Sequence, residues 1–301
     1  MKPVLYVLCG LQGSGKSTYA RKLEKEKGCF VVSSDEIRRQ YPNAKNDTVF
    51  QMVYRLANDA LIDGLNVVID ATNITVKSRR QVFANIKVDC HKQCVVICTP
   101  YEKCVIRVEL RNKNLYKNEH FVPLEALERY YKSFEVPFNE EGWDSIVCVQ
   151  DKAVEDWAVS KLLKQADGFD QHNKHHTQDL GQHMKATGDY LAQQYANDCP
   201  VRIAAYLHDI GKLFTQTFGE DGQAHYYNHA NVGAYELLTR VEPPDLLDVV
   251  FFVNYHMHLY NVQSEKSIKK WRSLFGDEKW QQLNDLHEAD VNSHEKGETK
   301  C

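Results

Sequence analysis

The sequence predicts an α/β domain, with a parallel sheet flanked by helices, followed by an all-α domain. Short runs rich in Val, Ile and Cys alternate with helical patterns in the first half, and a glycine-rich loop follows the first run. These β-branched runs become scarce after about residue 150. With 301 residues, the chain is long enough for two domains of about 150 residues each.

Five apolar runs in the first half indicate buried strands, at residues 4–10, 29–35, 65–73, 93–100 and 144–151. The segments 17–27 and 47–64 between them have helical spacing, as expected for a parallel sheet covered on both faces. Helical spacing then dominates the second half, for example over 201–210. We place the domains at 1–152 and 165–301, with the polar stretch 165–176 as the candidate connection.

Composition limits the classes of protein to consider. Hydrophobic residues make up 43% and charged residues 26% of the chain, which excludes wholesale disorder. The net charge of −4 means that any nucleic-acid binding requires a local basic patch. The first apolar run is too short to span a membrane, and the nine cysteines show no secreted pattern. We therefore expect a cytoplasmic protein with no membrane association.

Cysteines recur every four residues at Cys90, Cys94 and Cys98, which on a helix would place them on one face. The β-branched residues around them favour a strand over a metal site.

Residues 10–17, GLQGSGKS, match the phosphate-loop motif G-x-x-x-x-G-K-[ST], between a predicted strand and a predicted helix. In that context the loop N–H groups surround a phosphate, Lys16 reaches the β- and γ-phosphates, and Ser17 ligates Mg²⁺. The alternative is a glycine-rich turn without such a role. The motif predicts bound ATP and Mg²⁺, with candidate contacts at Gly10, Gly13, Ser14, Gly15, Lys16, Ser17 and Thr18.

Asp35 and Arg38 follow the second predicted strand, at the edge where α/β sheets bind ligands. A carboxylate there can accept the proton of an attacking hydroxyl or help to hold the metal, and Arg38 can bind an acceptor phosphate. The alternative is a helix-capping Asp followed by a solvated Arg. The third predicted strand ends at Asp70, either a metal ligand through water or a helix cap, with Thr72 and Asn73 beside it.

The stretch RVELRNKNLYKNEHFVP is basic, and its cationic residues include Arg107, Arg111, Lys113 and Lys117. A lid of this kind supplies positive charge to a transferring phosphoryl group when it closes over ATP. A solvated helix face is the alternative.

The phosphate loop, SSDEIR, DATN, the RN…VP lid and VPFNEEGWD together cover about the first 150 residues. This part of the chain resembles the P-loop polynucleotide kinase family, which transfers the γ-phosphate of ATP to a 5′-OH of RNA or DNA. The resemblance implies that Asp35 is the general base and that Arg38 contacts the 3′-phosphate of the acceptor. Leu115 departs from family lids that carry a second arginine there, so the lid assignment rests on Arg111, with Arg107 or a nearby lysine as substitute.

Seven of the thirteen histidines fall between residues 172 and 229. Each alone is explained as a capping or surface residue, but several histidines and two aspartates share apolar faces of predicted helices. Burying so many polar groups is costly without a partner, and imidazole and carboxylate suit a divalent transition metal. Such a metal activates water and neutralises phosphate oxygens. The candidate ligands are His183, His208, Asp209, His229, His256 and Asp290.

The series HM…LHDIGK…NHANVGA…YHMH…EAD, over about residues 170–295, resembles the HD superfamily of metal-dependent phosphohydrolases. The resemblance implies a divalent transition metal such as Mn²⁺, Ni²⁺ or Fe²⁺. It assigns the first metal to His183, His208, Asp209 and Asp290, and a second metal or the scissile phosphate to His229 and His256. Taking both halves together, the candidate catalytic residues are Lys16, Asp35, Arg38, Arg111 and Asp209.

Other residues near these motifs have alternative roles. Lys212 is a candidate phosphate contact, and His258 is the rival of His256 as a ligand. His175 and His176 either begin a helix or contact substrate.

Three functions fit these motifs. The first is a bifunctional end-healing enzyme that phosphorylates 5′-OH ends and removes 2′,3′-cyclic or 3′-phosphates of RNA or DNA, leaving the ends that a ligase requires in RNA repair. The second is a nucleoside or metabolite kinase fused to a nucleotide phosphohydrolase, which the mild acidity favours. The third is an HD domain that serves only as a sensor or scaffold, although inward carboxylates argue against it. The first would be favoured by a basic path around one cleft, formed by Arg38, Arg79, Arg80, Arg107 and Arg111.

Overall fold

The computed structural model describes residues 2–114, 121–150, 159–172, 178–240 and 246–293. The chain forms two compact units, one of Met1–Tyr131 with Glu141–Lys152 and the other of Lys132–Glu140 with Ala153–Cys301. In the described part of the chain, no helix is both long and apolar enough to cross a membrane.

The first unit is built on a five-stranded parallel sheet with the order β2-β3-β1-β4-β5. The strands are β1 (Val4–Cys9), β2 (Phe30–Ser33), β3 (Val67–Asp70), β4 (His91–Cys98) and β5 (Ser145–Gln150). The helices are α1 (Lys16–Lys27), α2 (Ser34–Gln40), α3 (Asn46–Ile62), α4 (Val76–Asn85), α5 (Tyr101–Lys113) and α6 (Leu124–Lys132). The predicted α/β fold is confirmed for this unit.

The central strands are apolar on both faces because helices cover the sheet. Leu5 of β1 lies beside Val67 of β3, and every residue of β3 is buried. The register pairs Ser33 with Asp70, so the ends of β2 and β3 meet at one edge. This edge carries the phosphate loop between β1 and α1.

The second predicted strand is shorter than expected. β2 ends at Ser33 because the Ser33 hydroxyl accepts a hydrogen bond from Glu36 N (3.4 Å) and caps α2. Asp35 therefore lies in the first turn of a helix rather than at a strand end, and it is not the helix cap.

The second unit is mostly helical, as predicted. Its helices are α7 (Val159–Ala166), α8 (Leu180–Leu191), α9 (Pro200–Ala205), α10 (Lys212–Thr215), α11 (His229–Leu238), α12 (Leu246–Tyr255), α13 (His258–Asn261), α14 (Glu265–Phe275) and α15 (Asp277–Ser293). The all-α prediction misses an antiparallel hairpin of β6 (Thr217–Phe218) and β7 (Ala224–His225).

The helix predicted over 201–210 ends at Ala205. His208 Nδ1 donates a hydrogen bond to the Ala205 carbonyl (2.8 Å), and the backbone continues in i to i+3 turns such as Ile210 N to Leu207 O (3.0 Å). The His-Asp pair thus lies in a tight turn rather than in a regular helix.

The segment Lys132–Glu140 contributes to the core of the second unit although it precedes the last strand of the sheet. Phe138 packs edge-on against Phe251 and Phe275, with ring centroids 5.2 and 5.4 Å apart. Asn254 Oδ1 accepts a hydrogen bond from Val136 N (2.7 Å). That residues 1–152 and 165–301 form two separate domains stays a prediction.

Candidate active sites

The phosphate loop has the backbone geometry that its glycines allow. Gly13 and Gly15 have φ of +77° and +99°, and a Cβ on Gly13 would lie 2.6 Å from the Cys104 carbonyl oxygen. Thr99 Oγ1 donates to the Ser14 carbonyl (2.7 Å), and Lys16 Nζ donates to the Leu11 carbonyl (2.7 Å). Ser14 Oγ is buried without a hydrogen-bond partner among the described residues, so a donor remains for an anion. The loop fits a nucleotide phosphate.

Ser17 and Asp70 form a polar pair at the sheet edge, with Ser17 Oγ donating to Asp70 Oδ2 (2.7 Å). Burial raises the pKa of Asp70, although Ser17 and Lys16 oppose that shift. The capping alternative for Asp70 is wrong, because Thr75 caps α4 through a capping box. Hydroxyl and carboxylate oxygens are ligands that Mg²⁺ accepts, so this pair fits the predicted ion.

Asp35 and Arg38 lie in the same cavity as Lys16 and Ser17, a space of about 1240 Å³. Arg38 Nη1 contacts Asp35 Oδ1 at 3.1 Å, and Arg38 Nη2 donates to Asn46 Oδ1 (2.8 Å). The side chain of Asp35 is 66% exposed, which leaves it accessible to an incoming group. A carboxylate and a guanidinium thus line the same cavity as the phosphate loop.

Two arginines of the predicted lid also line this cavity, Arg107 and Arg111, both on α5. Arg107 Nη1 donates to the Gly13 carbonyl (3.3 Å). Lys113 is exposed at the end of α5, and Leu115 and Lys117 lie outside the described residues. Sequence reasoning missed Arg129, a cavity residue on α6 that belongs to no motif.

Arg79 does not belong to the basic path, which corrects an expectation from the sequence. Its side chain is fully buried and makes a two-point contact with Glu141, with Nε to Oε2 at 2.8 Å and Nη2 to Oε1 at 2.6 Å. Burial lowers the pKa of Arg79, but the contact with Glu141 more than offsets it, so Arg79 stays charged. Arg79 Nη1 also donates to the Asn73 carbonyl (3.2 Å), and Arg80 does not line the cavity.

Replacing Glu141 with glutamine is expected to destabilise the first unit by about 3–5 kcal/mol, since it removes the negative charge that compensates the buried Arg79 guanidinium. Hydrogen exchange of the sheet amides under increasing urea measures the loss. Asp89→Asn is the control, because it breaks the exposed contact of Asp89 with Lys2 (2.8 Å) and should leave exchange nearly unchanged. Equal exchange in the two variants would contradict a structural role for the buried pair.

The candidate metal ligands of the second unit converge from five places in the chain. His183 and Asp290 come from α8 and α15, and their Nε2 and Oδ1 atoms are 3.0 Å apart. Asp209, in the turn after α9, lies between two sets of imidazoles. Its Oδ2 is 3.5 Å from His183 Nε2 and from His208 Nε2, and its Oδ1 is 3.1 Å from His229 Nε2 and 3.5 Å from His256 Nε2. Two groups suited to a metal therefore share Asp209.

Hydrogen bonding leaves the Nε2 atoms of this cluster facing one another. His229 Nδ1 bonds to the Tyr226 carbonyl (2.8 Å) and His256 Nδ1 to the Val253 carbonyl (2.7 Å), so each neutral ring has its lone pair on Nε2. These two Nε2 atoms are only 3.1 Å apart. His208 Nε2 is also buried, with no hydrogen-bond partner in the described ranges. Two neutral rings do not direct lone pairs at each other over this distance without a proton or a metal ion between them, so the cluster fits a divalent metal.

Charge in the cluster keeps both carboxylates ionised. Burial alone would raise the pKa of Asp209, but Lys212 and His208 outweigh it and hold the pKa well below its usual range. The pKa of Asp290 is likewise lowered, by His183 and His208, against the effect of burial. Burial lowers the pKa of His256, with His229 and His208 adding to the shift, which favours the neutral, ligating form.

Comparison with known protein families agrees with this division of sites. Residues 5–137 match the model of the AAA domain, and residues 180–291 match the model of the HD domain. The two halves of the chain are thus similar to two different domain families. Each match spans the candidate site of its own half.

Solved structures with similarity to the chain include a chain of the Pnkp1/Rnl/Hen1 RNA repair complex, 28% identical over 42% of this chain and 42% of that one, with a TM-score of 0.38. A fungal RNA kinase is 20% identical over 49% and 73% of the two chains, with a TM-score of 0.38. A gluconokinase from Sinorhizobium meliloti is 17% identical over 49% and 82%, with a TM-score of 0.35. A second structure of a Pnkp1/Rnl/Hen1 complex also matches. The alignments with the two Pnkp1/Rnl/Hen1 chains cover only 42% and 38% of the length of those chains.

Several residues around the HD cluster differ from expectation. Lys212 Nζ contacts Asp209 Oδ2 (2.7 Å), so it neutralises the central carboxylate in addition to lining the cavity. Tyr260 donates to Asp290 Oδ2 (3.0 Å), a contact that no sequence motif indicated. His258 does not belong to the cluster but packs against Trp271, with ring centroids 4.2 Å apart. Burial in this position lowers the pKa of His258 to about 4. His175 and His176 lie outside the described residues.

Gly211 allows the His-Asp turn to approach α11. A Cβ at this position would lie 2.0 Å from the His229 carbonyl oxygen and 2.6 Å from Gly233 N, both backbone atoms that cannot yield. Gly211→Ala is therefore expected to separate Asp209 from His229 and to weaken metal binding by at least about tenfold. Metal content after dialysis, measured by plasma mass spectrometry, checks this expectation.

Gly188→Ala is the matched control for Gly211→Ala, since its Cβ would meet the Tyr206 ring at 2.3 Å, a side chain that can move, rather than backbone atoms. It should retain its metal. If Gly211→Ala retains metal to the same extent as Gly188→Ala, the close approach is not what assembles the site.

Proposed function

We propose that the chain is a bifunctional nucleic-acid end-healing enzyme. The P-loop domain transfers the γ-phosphate of ATP to 5′-OH ends, and the HD domain removes 2′,3′-cyclic phosphate or 3′-phosphate from the other end. The main support for the kinase activity is that Asp35 and Arg38 line the same cavity as Lys16 and Ser17. The products, a 5′-phosphate and a 3′-OH, are what a ligase joins, so a ligase is the expected partner in RNA repair.

In the kinase half, the loop amides and Lys16 bind the phosphates of ATP, and Ser17 with Asp70 would hold Mg²⁺. Arg38 binds the phosphate on the 3′ side of the acceptor nucleotide and orients its 5′-OH toward Asp35. The hydroxyl oxygen bonds to the γ-phosphorus, its proton passes to Asp35, and ADP leaves. Arg107 and Arg111 neutralise charge on the transferring group.

In the HD half, His183, His208, Asp209 and Asp290 would hold one divalent metal, and His229 and His256 with Asp209 would hold another. When bound, such ions bind phosphate oxygens as Lewis acids and lower the pKa of water. Lys212 neutralises Asp209 and lies at the wall of the cavity, within reach of a phosphate. Tyr260 orients the Asp290 carboxylate through its hydroxyl.

A small-molecule kinase fused to a nucleotide phosphohydrolase is the second candidate. Two observations favour it: Arg79 is buried, and Arg80 does not line the cavity. Fewer arginines are therefore available to bind a polynucleotide than the sequence suggested. Arg38, Arg107, Arg111 and Arg129 remain around the kinase cavity and support an oligonucleotide acceptor.

Acceptor preference tests the proposal against this second candidate. We expect phosphate transfer from ATP to a 5′-OH oligoribonucleotide with a higher kcat/KM than to a free nucleoside or a hexose. We also expect phosphate release from oligonucleotides that end in a 2′,3′-cyclic or 3′-phosphate. Transfer to the nucleoside or hexose alone would overturn the proposed kinase function.

A further inference from the structure

The HD cavity is lined by aromatic residues as well as by candidate metal ligands. The space is about 280 Å³, and its lining includes Asp209, His229 and Asp290. It also includes His225, the last residue of β7, and Tyr226 and Tyr227, which follow it. A ligand that fills the cavity would meet carboxylates, imidazoles and aromatic rings.

The Tyr227 ring is exposed, with 68% of the residue's surface accessible. The His225 ring stacks on it nearly in parallel, with centroids 5.5 Å apart and an interplanar angle of 12°. An exposed, flat ring supported from behind has one face to offer to another planar group.

The backbone links this ring to the metal ligands. Asn228, the only residue between Tyr227 and His229, has a left-handed conformation with φ +63°. Asparagine adopts this conformation more readily than most residues, and here it is the N-cap of α11, the helix that begins with His229. The neighbouring ring is held in place, since Tyr226 donates to the Gln171 carbonyl (2.7 Å) and accepts from Gln216 Nε2 (2.8 Å).

We propose that Tyr227, supported by His225, forms a stacking platform for the nucleobase of the nucleotide whose phosphate enters the HD cluster. The HD site then takes phosphate esters that carry a base on the same sugar, such as the last nucleotide of a strand, in preference to phosphate esters without a base. This inference rests on the proposed phosphohydrolase function and names its substrate class. Stacking of a base on an aromatic side chain corresponds to about a five- to hundredfold effect on affinity.

Two oligoribonucleotides that differ only in the last base test the platform. Both carry a 5′-phosphate, so they offer the kinase no acceptor, and both end in a 3′-phosphate. One has adenine at the last position and the other is abasic there. Affinity for the full-length protein is measured by fluorescence anisotropy, and KM and kcat for phosphate release are measured separately.

The wild-type protein should bind the base-bearing end about tenfold more tightly than the abasic end and show a correspondingly lower KM with a similar kcat. Tyr227→Ala should remove this preference, and Tyr227→Trp should keep it. Phe218→Ala is the matched control, because Phe218 is 59% exposed on the same hairpin but does not line the cavity. It should leave the preference unchanged.

Equal affinities of the wild-type protein for the two ends would overturn the platform, as would a preference that survives in Tyr227→Ala. If neither oligonucleotide loses phosphate, the proposed hydrolase function fails, while the affinity comparison still decides whether Tyr227 binds a base.

Discussion

Asp209→Ala is expected to reduce release of phosphate from 3′ ends by at least about 100-fold. Removing a residue that only hydrogen-bonds to a metal ligand already reduces metal affinity or activity by about 10- to 100-fold. Asp209 is itself a candidate ligand and contacts all four candidate histidines of the cluster. Its loss removes the carboxylate that the two ligand sets share. Phosphate release and metal content are measured on the same preparation, and 5′-OH phosphorylation should stay unchanged.

Asp277→Ala is the control for Asp209→Ala, since the Asp277 side chain is 81% exposed at the start of α15. It should retain both phosphate release and metal. Full phosphate release by Asp209→Ala would contradict the assignment of this carboxylate to the active site.

Asp35→Ala is expected to slow 5′-OH phosphorylation by about 10²- to 10⁴-fold, the range for loss of a general base. Among the described residues, Asp35 hydrogen-bonds to Arg38 and to no residue of the phosphate loop, so the affinity for ATP should stay near the wild-type value. Phosphorylation rates at saturating ATP, together with ATP binding by isothermal titration calorimetry, separate the two effects.

Glu36→Ala provides the comparison for Asp35→Ala, because Glu36 is exposed in the same helical turn but does not line the cavity. It should phosphorylate 5′-OH ends at the wild-type rate. Similar rates for the two variants would mean that Asp35 does not accept the acceptor proton.

The sequence predicted the fold class because its patterns were local. The β-branched runs, the phosphate-loop motif and the helical spacing each follow from neighbouring residues, and each appears at nearly the expected place. The small hairpin at β6–β7 escaped prediction because two-residue strands have no periodicity to detect.

Side-chain contacts between distant segments were the less predictable part. Nothing in the local sequence distinguishes Arg79, which pairs with Glu141 across 62 positions, from an exposed arginine of a basic cleft. Tyr260 and Arg129 likewise enter their sites through tertiary packing alone. The His and Asp series could be found from sequence because burying so many polar groups is costly unless they share a partner.

One RNA that carries both a 5′-OH and a 2′,3′-cyclic phosphate tests the proposed end-healing function, with its ends followed by intact-mass spectrometry in the presence of ATP. We expect the wild-type protein to change both ends, Asp35→Ala to change only the 3′ end, and Asp209→Ala to change only the 5′ end. A mixture of the two variants should again change both ends. An RNA that the wild-type protein leaves unaltered, or two variants that each lose both activities, would contradict it.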